Sequence, residues 1–520
     1  MKKLILVLIF IATCISINAQ SGNAVNVNQL IIVANHPGPT ISKDVYGHFS
    51  EHLGTCIYGG LWVGTDSKIP NTYGIRNDVL FALREIKVPN LRWPGGCFAD
   101  TYHWKDGIGP QVNRASIINT HWGGVTEDNS FGTHEFMKLT ELLGCDAYIN
   151  GNLGSGSVQE MAEWVEYLTS DAESPMTKLR KQNGREEPWK VRYWAVGNEN
   201  WGCGGNMTAE FYRDVMRRYA TYLKNYGGNR LYRVACGPSD VDFGWTQVLM
   251  EDSKTRNMFE GISLHYYSVV NGWSRKSSAT NFDEGEWHEA FRLNYEMDNI
   301  IKGHEAIMDR YDPMNRKGII VDEWGNWFQV EPGTNPGFLY QQNTLRDAIT
   351  AAIHLNIFNQ HARRVKVANL AQMVNVLQAV ILTNDDKMVL TPTYHVFRMF
   401  RDHQEAQLLT TDLRCEDYVY GDSRIPAITA SASVNTDGKV HVTIANLNPT
   451  KAITLTCPVI GETYKTVKGE VLTAEAMNAY NDFDSPDVVK PGTFNGYKMK
   501  DGILTVTMPP KSVVALDLTK

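Results

Sequence analysis

Between residues 40 and 385, short apolar runs alternate with longer stretches that have the spacing of amphipathic helices. Eight of the short runs are typical of buried strands, at 45–49, 88–93, 145–150, 191–196, 232–236, 262–266, 318–322 and 365–370. Helix-like stretches lie between them, at 77–87, 133–143, 159–168, 207–225, 289–310 and 339–360. This alternation predicts a (β/α)₈ barrel over residues 40–385. An open doubly wound sheet is the alternative, but no G-x-G-x-x-G motif follows the first strand.

From about residue 386 the helical spacing ends, and short segments alternate apolar and polar residues. Three such segments are HVTIA at 441–445, AITLT at 452–456 and LTVTM at 504–508. Because this alternation is typical of strands with one buried face, residues 386–520 are predicted to form an antiparallel β-sandwich. The segment 20–39 also contains a strand-like run, which we expect to join the sandwich.

The first 19 residues have the composition of a signal peptide. Two lysines precede an apolar run at 4–12, and Ile17-Asn18-Ala19 resembles a small-residue cleavage site. We therefore expect an exported, periplasmic protein. A lipid anchor on Cys14 and a buried first strand are the alternatives. No other segment approaches 18 consecutive apolar residues, so no membrane span is expected.

The net charge and the spacing of the cysteines argue against a nucleic-acid partner, a disulfide scaffold and a zinc site. The formal net charge is −7 over 520 residues without a Lys/Arg-rich run, so nucleic acid is not an expected partner. The 8 cysteines are widely spaced without a C-x-x-C pair, so neither a disulfide scaffold nor a zinc site is predicted. Loss of Cys14 with the signal peptide leaves an odd number, which implies at least one free thiol. We expect most cysteines to be small buried residues.

Two glutamates follow predicted strands at the positions where barrel enzymes place their catalytic groups. Residues 191–196 lead into Gly197-Asn198-Glu199, and residues 318–322 are followed by Glu323. Two carboxyl groups facing one cleft suit glycoside hydrolysis, in which one protonates the leaving oxygen and the other attacks the anomeric carbon. Either glutamate alone is also consistent with a structural carboxylate that holds a loop or an arginine. The pair predicts a glycosidase.

Six motifs resemble, in order, those of family 51 glycoside hydrolases, the α-L-arabinofuranosidases. They are YGHFSEHLG at 46–54, LRWPGGC at 91–97, GNE at 197–199, SLHYY at 263–267, DEW at 322–324 and ANLAQ at 368–372. The resemblance runs from about residue 46 to residue 382. It implies a barrel with catalytic glutamates after strands four and seven, followed by a sandwich. It assigns the acid/base role to Glu199 and the nucleophile role to Glu323.

The same resemblance implies substrate contacts by seven further residues, namely Glu51, Cys97, Trp122, Asn198, His265, Tyr267 and Gln372. Many members have asparagine at the position of Cys97, so a hydrogen bond from Cys97 to the sugar stays open, with a small residue in a tight bend as the alternative. Glu51 is also consistent with a loop ion pair and Gln372 with a helix start. A position in the core is the alternative for Trp122, His265 and Tyr267. No histidine pair has the helical spacing of metal ligands, so we predict no metal site.

The resemblance implies hydrolysis of terminal α-L-arabinofuranosyl groups from arabinan, arabinoxylan or oligosaccharides, with retention of configuration and without a cofactor. Members of the family often assemble into oligomers, so a homo-oligomer is one option. Endo-glucanases and xylosidases on the same scaffold are the alternatives among enzymes. A non-catalytic sugar-binding barrel is the alternative from another class, but it would need one of the two carboxylates replaced.

Overall fold

The structure, a computed structural model, describes residues 28–520, so the predicted signal peptide lies outside the described residues. Eight parallel strands close into a barrel, in which the last strand pairs with the first through Asn369 and Gly47. In chain order the barrel strands are Gly47–Phe49, Asn90–Trp93, Asp146–Gly151, Tyr193–Val196, Tyr232–Ala235, Gly261–Ser268, Gly318–Asn326 and Val365–Leu370. Each overlaps one predicted strand, and the barrel prediction is confirmed.

The seventh barrel strand is longer than the sequence predicts. It spans Gly318–Asn326 and is buried along its whole length, instead of ending at Asp322. A register shift in the sixth strand, between Ser263 and His265, lets pairing continue so that His265 lies beside Glu323. Glu323 is therefore held inside a paired strand, whereas Glu199 follows the end of its strand at Val196.

Capping side chains determine where most of the helices outside the barrel begin. Leu345–Gln360 is predicted to begin at residue 339 but begins later, because the Thr344 side chain accepts from the backbone N–H of Arg346 and Asp347 bonds back to Thr344. Further helices are Asn77–Glu85, Thr133–Leu143, Val158–Thr169, Pro175–Gln182, Ala209–Tyr222, Phe243–Glu251, Ser253–Arg256 and Glu284–Tyr311. Within residues 28–520, no helix combines the length and apolar character needed to cross a bilayer.

One more helix lies beyond residue 385, where the sequence places the end of the barrel domain. Pro392–Phe400 is capped by Thr391, whose side chain accepts from the N–H of Tyr394, and a proline fits its first turn. It follows the eighth barrel strand and packs beside Leu345–Gln360, so it completes the last β/α unit. The expectation that helical spacing ends at about residue 386 is wrong, because Pro392–Phe400 is a further helix, which buries Tyr394, Val396 and Phe397.

The strands after this helix form a ten-stranded sheet together with the N-terminal strand Gln29–Thr40. Its C-terminal strands are Gln407–Arg414, Ile428–Val434, Val440–Asn446, Ile453–Ile460, Thr466–Leu472, Gly492–Thr493, Tyr497–Lys500, Ile503–Met508 and Ser512–Thr519. Pairing is antiparallel except between Gln29–Thr40 and Ile453–Ile460. A C-terminal antiparallel β domain is thereby confirmed, and the N-terminal strand lies in the middle of its sheet.

Candidate active site

A small cavity lies at the C-terminal ends of the barrel strands, the face on which barrel enzymes carry their active sites. Its volume is about 320 Å³ with its mouth included. It is lined by Glu51, Leu53, Gly96, Cys97, Trp122, Glu199, Tyr267, Glu323, Trp327, Leu339, Gln372 and Leu377. Apolar and aromatic walls thus surround a few converging polar groups, as in sites that bind one small ligand.

Both carboxylate oxygens of Glu323 have donors. Arg92 Nη1 donates to Oε1 at 2.8 Å, and the Tyr267 hydroxyl donates to Oε2 at 2.8 Å. Arg92 is buried in the second barrel strand, and its Nε lies 3.5 Å from Asp322 Oδ2. The two donors fix the orientation of the Glu323 carboxylate, and the guanidinium compensates its charge.

The carboxyl group of Glu199 has a different environment on each oxygen. Oε1 lies 2.8 Å from His265 Nδ1, whereas Oε2 lies 3.5 Å from the Cys203 sulfur. Burial raises the pKa of Glu199; the hydrogen bond from His265 opposes this rise, and the charge of Glu323 adds to it. One oxygen of Glu199 and one of Glu323 lie within 4.8 Å of each other. A raised pKa keeps a carboxyl group protonated to higher pH, which suits a general acid.

His265 lies between three carboxyl groups. Its Nδ1 is 2.8 Å from Glu199 and 3.5 Å from Glu323, and its Nε2 is 3.1 Å from Asp322. Burial opposes a charge on the ring, yet these carboxylates together raise the pKa of His265 to about 10. The raised pKa favours the imidazolium form, which donates from both nitrogens. Asp322 is held in turn by the Tyr148 hydroxyl, which donates to Oδ2 at 2.6 Å.

Glu51, which also lines the cavity, accepts hydrogen bonds from three donors. Its Oε1 accepts from the backbone N–H of Gly96 at 2.8 Å and from Trp122 Nε1 at 3.0 Å, and its Oε2 accepts from Gln372 Nε2 at 2.7 Å. Burial and then the charge of Glu323 raise the pKa of Glu51 to about 7, although these donors oppose the rise. Glu51 therefore orients two of the other predicted substrate contacts.

Gly96 lies in the second β/α loop, where the backbone comes close to the Glu323 carboxylate. A Cβ atom at this position would lie 2.6 Å from Glu323 Oε1 and 3.5 Å from Asn198 Nδ2. Glycine is required here because any side chain would displace the Glu323 carboxylate.

Asn198 is held from two sides. Its side-chain Oδ1 accepts from Arg92 Nη2 at 2.6 Å, and its backbone N–H donates to Asp100 Oδ2 at 2.9 Å. Asp100 also accepts from the N–H groups of Leu153 and Gly154. Burial raises the pKa of Asp100 to about 7, although these N–H groups favour its ionised form. The acid/base motif is thus anchored to the loop that follows the second barrel strand.

Cys97 forms a disulfide with Cys203, with a Cα–Cα distance of 5.5 Å. The expectation that the cysteines are mainly single buried residues is wrong for this pair. The two residues are 106 positions apart in the chain, so their pairing depends on loops that meet only in the folded barrel. Free thiols in the described residues are Cys56, Cys145, Cys236, Cys415 and Cys457.

Most of the predicted site residues line the cavity, and two do not. His265 contacts the lining side chain of Glu199, whereas Asn198 is bonded to Arg92, which in turn contacts Glu323. The sequence analysis missed Arg92, Asp100, Cys203, Asp322 and Trp327. A usable signal existed for Arg92, since a charge inside an apolar strand is costly unless it has a partner. Asp100 and Cys203 carried no comparable signal.

Two carboxyl groups this close together across a barrel mouth are suited to one class of enzyme, the glycoside hydrolases. Comparison with family models agrees with that class. Residues 82–280 match the model of the Alpha-L-arabinofuranosidase 1 domain, and residues 322–512 match that of the Alpha-L-arabinofuranosidase C-terminal domain.

Individual relatives place the chain more closely. It is 49% identical over 99% of both chains to a protein of Bacteroides ovatus named an intracellular exo-alpha-L-arabinofuranosidase. It is 32% identical to a probable alpha-L-arabinofuranosidase C of Aspergillus niger, over 85% of this chain and 90% of that one. The solved structure of the GH51 arabinofuranosidase from Xanthomonas axonopodis pv. citri superposes with a TM-score of 0.93 at 48% identity, covering 95% of this chain and 100% of the other. The chain belongs to glycoside hydrolase family 51, the α-L-arabinofuranosidases.

One expectation is overturned by these relatives. The Bacteroides ovatus protein, which aligns along 99% of this chain, is named intracellular. This contradicts the export that we predict from the first 19 residues. A short apolar run after two lysines is a compositional signal, and it carries less weight than a relative of this similarity.

Proposed function

We propose that this enzyme removes terminal α-L-arabinofuranosyl groups from arabinan, arabinoxylan or oligosaccharides, with retention of configuration. The observation that carries the mechanism is the approach of Glu199 and Glu323 to within 4.8 Å. Retaining glycosidases hold their carboxyl groups roughly 5–5.5 Å apart, whereas inverting enzymes leave room for a water molecule between them. The names of the relatives support the sugar specificity.

In the first step Glu323 is the nucleophile and Glu199 is the acid. The Glu323 carboxylate attacks the anomeric carbon as the glycosidic bond breaks, and Glu199 gives its proton to the leaving oxygen. The products are a glycosyl ester of Glu323 and a free alcohol. Arg92 and Tyr267 hold the attacking carboxylate in place throughout.

In the second step Glu199 acts as a base. It takes a proton from water as the water oxygen attacks the anomeric carbon, and the Glu323 carboxylate leaves. Esterification has removed the negative charge of Glu323, which is one cause of the raised pKa of Glu199. The pKa of Glu199 is therefore higher in the first step, where Glu323 is charged and Glu199 is the acid, and lower in the second step, where Glu323 is esterified and Glu199 is the base. Two inversions give overall retention.

The shape of the cavity supports exo action. Trp122, Trp327, Leu339 and Leu377 form walls around a small cavity, a shape that suits one terminal sugar unit. An endo-acting glucanase needs an open cleft for sugars on both sides of the scissile bond. The cavity therefore favours removal of a terminal group over cleavage within a polysaccharide chain.

A panel of aryl glycosides tests the proposal. We expect rapid release of 4-nitrophenol from the α-L-arabinofuranoside, and little from the β-D-xylopyranoside or β-D-glucopyranoside. Proton NMR during hydrolysis should show that the α anomer of arabinose forms first. Preferred hydrolysis of a pyranoside would reject the sugar specificity, and first formation of the β anomer would reject the double-displacement mechanism.

A further inference from the structure

The disulfide Cys97–Cys203 lies directly against the carboxyl group of Glu199. Oε2 is 3.5 Å from the Cys203 sulfur and 3.9 Å from the Cys97 sulfur. A disulfide sulfur has no hydrogen to donate. Within residues 28–520 the structure gives Oε2 no N–H or O–H partner, whereas Oε1 is bonded to His265. Oε2 is thus the oxygen that is free to carry a proton.

The same disulfide braces the turn that carries Glu199. Glu199 has a φ of +42°, in the left-handed region that residues with a side chain rarely adopt. Its carbonyl accepts from the N–H groups of Gly202 and Gly204, which flank Cys203. Asp100 anchors one end of the turn through the N–H of Asn198, and the disulfide anchors the other end. Both anchors come from the loop after the second barrel strand.

We propose that the Cys97–Cys203 disulfide is a positioning element of the acid/base group, which keeps Glu199 in its uncommon backbone conformation and leaves Oε2 without a competing donor. This inference rests on the proposed function, because it concerns the proton that Glu199 gives to the leaving group. Its consequence is that acid catalysis depends on the oxidised state of this cysteine pair.

Reduction of the disulfide would place a thiol, which can donate a hydrogen bond, next to the Glu199 carboxyl group. Thiol–disulfide exchange with a dithiol, such as dithiothreitol, converts the disulfide into two thiols, and the reagent becomes a cyclic disulfide. Both cysteines are half-buried and Cys97 lines the cavity, so the reagent has a path from the mouth. The Cys203 thiol can then donate to Oε2. A donor at this oxygen favours the carboxylate over the protonated acid.

Leaving-group dependence separates this role from a purely structural one. A dinitrophenolate leaves with little proton assistance, whereas a sugar needs the acid. We expect reduction of the full-length enzyme to lower kcat/KM, which reports the acid-assisted first step, by on the order of tenfold for an arabino-oligosaccharide, with a change in kcat/KM under about twofold for 2,4-dinitrophenyl α-L-arabinofuranoside. The basic limb of the pH profile of kcat/KM should move to lower pH, and reoxidation should restore both.

Variants provide the matched controls. Cys97→Ser and Cys203→Ser should each show the behaviour of the reduced enzyme and no further response to dithiothreitol. Cys415→Ser removes a half-buried thiol that is distant in sequence from the residues lining the cavity. This variant should respond to dithiothreitol as the unmodified enzyme does. Thiol titration should show that reduction exposes two additional thiols per chain, and near-ultraviolet circular dichroism should show retained tertiary structure.

Two outcomes would overturn the inference. A reduced, folded enzyme with unchanged pH profile and unchanged rates on both substrates would show that the disulfide does not act on Glu199. An equal loss of kcat/KM on both substrates would show a general structural role. If the oxidised enzyme fails to hydrolyse aryl arabinofuranosides at all, the proposed function and this inference fall together, whereas the first two outcomes overturn the inference alone.

Discussion

Arg92 and Glu323 form an ion pair almost wholly withdrawn from solvent, with 2.8 Å between Nη1 and Oε1 and with side chains that are 1% and 8% exposed. The second terminal nitrogen of the same guanidinium donates to Asn198 Oδ1 at 2.6 Å. One rigid, planar group therefore sets the position of Glu323, the proposed nucleophile, relative to Asn198, which precedes the proposed acid/base group. A lysine has a single terminal nitrogen on a flexible chain and cannot reproduce both contacts.

The first prediction concerns this arginine. We expect Arg92→Lys to lower kcat for 4-nitrophenyl α-L-arabinofuranoside by on the order of 100-fold, because small displacements of reacting groups carry losses of this size. Arg364→Lys is the matched control, since Arg364 is equally buried and pairs with Asp312 at 3.0 Å without lining the cavity. The control should lose stability but keep its kcat. A near-native kcat for Arg92→Lys would remove the positioning role.

The second prediction concerns Gly96. The Cβ of Gly96→Ala would lie 2.6 Å from Glu323 Oε1, so the carboxylate must move out of line with Arg92 and Tyr267. We expect kcat/KM to fall by at least about 100-fold, as measured by steady-state kinetics. Gly492→Ala is the control, because a Cβ there meets no atom within 4 Å. Similar activity of the two variants would show that the second β/α loop yields instead of the carboxylate.

The third prediction concerns the pH dependence of stability at Glu51. Its pKa rises from 4.5 to about 7 on folding, mainly through burial. Below pH 4.5 both states hold the proton. Between these values the unfolded chain releases the proton and the folded chain keeps it, so this group lowers the free energy of unfolding as pH rises. The loss should total on the order of 3 kcal/mol above pH 7.

Urea unfolding at pH 5, 6 and 7 checks this effect. The stability of Glu51→Gln should fall less steeply over this range than that of the unmodified enzyme. Some slope should remain, because burial also raises the pKa of Asp100 to about 7. Glu475→Gln, at an exposed position, should leave the slope unchanged. An unaltered slope in Glu51→Gln would mean that Glu51 is already ionised in the folded enzyme at pH 5.

The barrel strands could be predicted because a strand that is buried on both faces appears in the sequence as a short apolar run. The helix Thr133–Leu143 was equally readable from its spacing and matches the prediction at both ends. Pro392–Phe400 was not, since it directly follows the strand Lys387–Leu390 and precedes the segments whose alternation predicts strands. Glu323 was placed correctly in the chain but not in the strand, because a register shift between neighbouring strands has no local sequence signal.

The candidate site also contains some residues that could be predicted from the sequence and others that could not. Residues inside short motifs, such as Glu51 and Tyr267, could be named from the sequence because those motifs resemble the motifs of family 51. The bond between Cys97 and Cys203 could not, since it joins two loops 106 positions apart. Asp100 acts through the backbone N–H of Asn198. A contact to a backbone group does not depend on the side chain of the residue that supplies it, so it leaves no pattern in the sequence. Such partners become visible only when the loops are placed in space.

The last prediction separates the two glutamates, because their roles fail in different ways. Glu199→Ala should still form the glycosyl ester from an aryl arabinofuranoside, since a nitrophenolate leaves with little proton assistance. It should then stall, because no base activates water, and show a pre-steady-state burst. Azide needs no base, so it should restore turnover and give the glycosyl azide of retained configuration.

Glu323→Ala should behave differently, since it lacks the attacking carboxylate. Its rates on aryl and sugar leaving groups should fall alike, without a burst, when both variants are followed by stopped-flow absorbance and product NMR. The contrast between the two variants is more informative than either loss alone, because mutant kinetics report differences and not shares of catalysis. A burst with azide-retained product in Glu323→Ala but not in Glu199→Ala would reverse the assignment. Near-native activity in both would place catalysis at other residues.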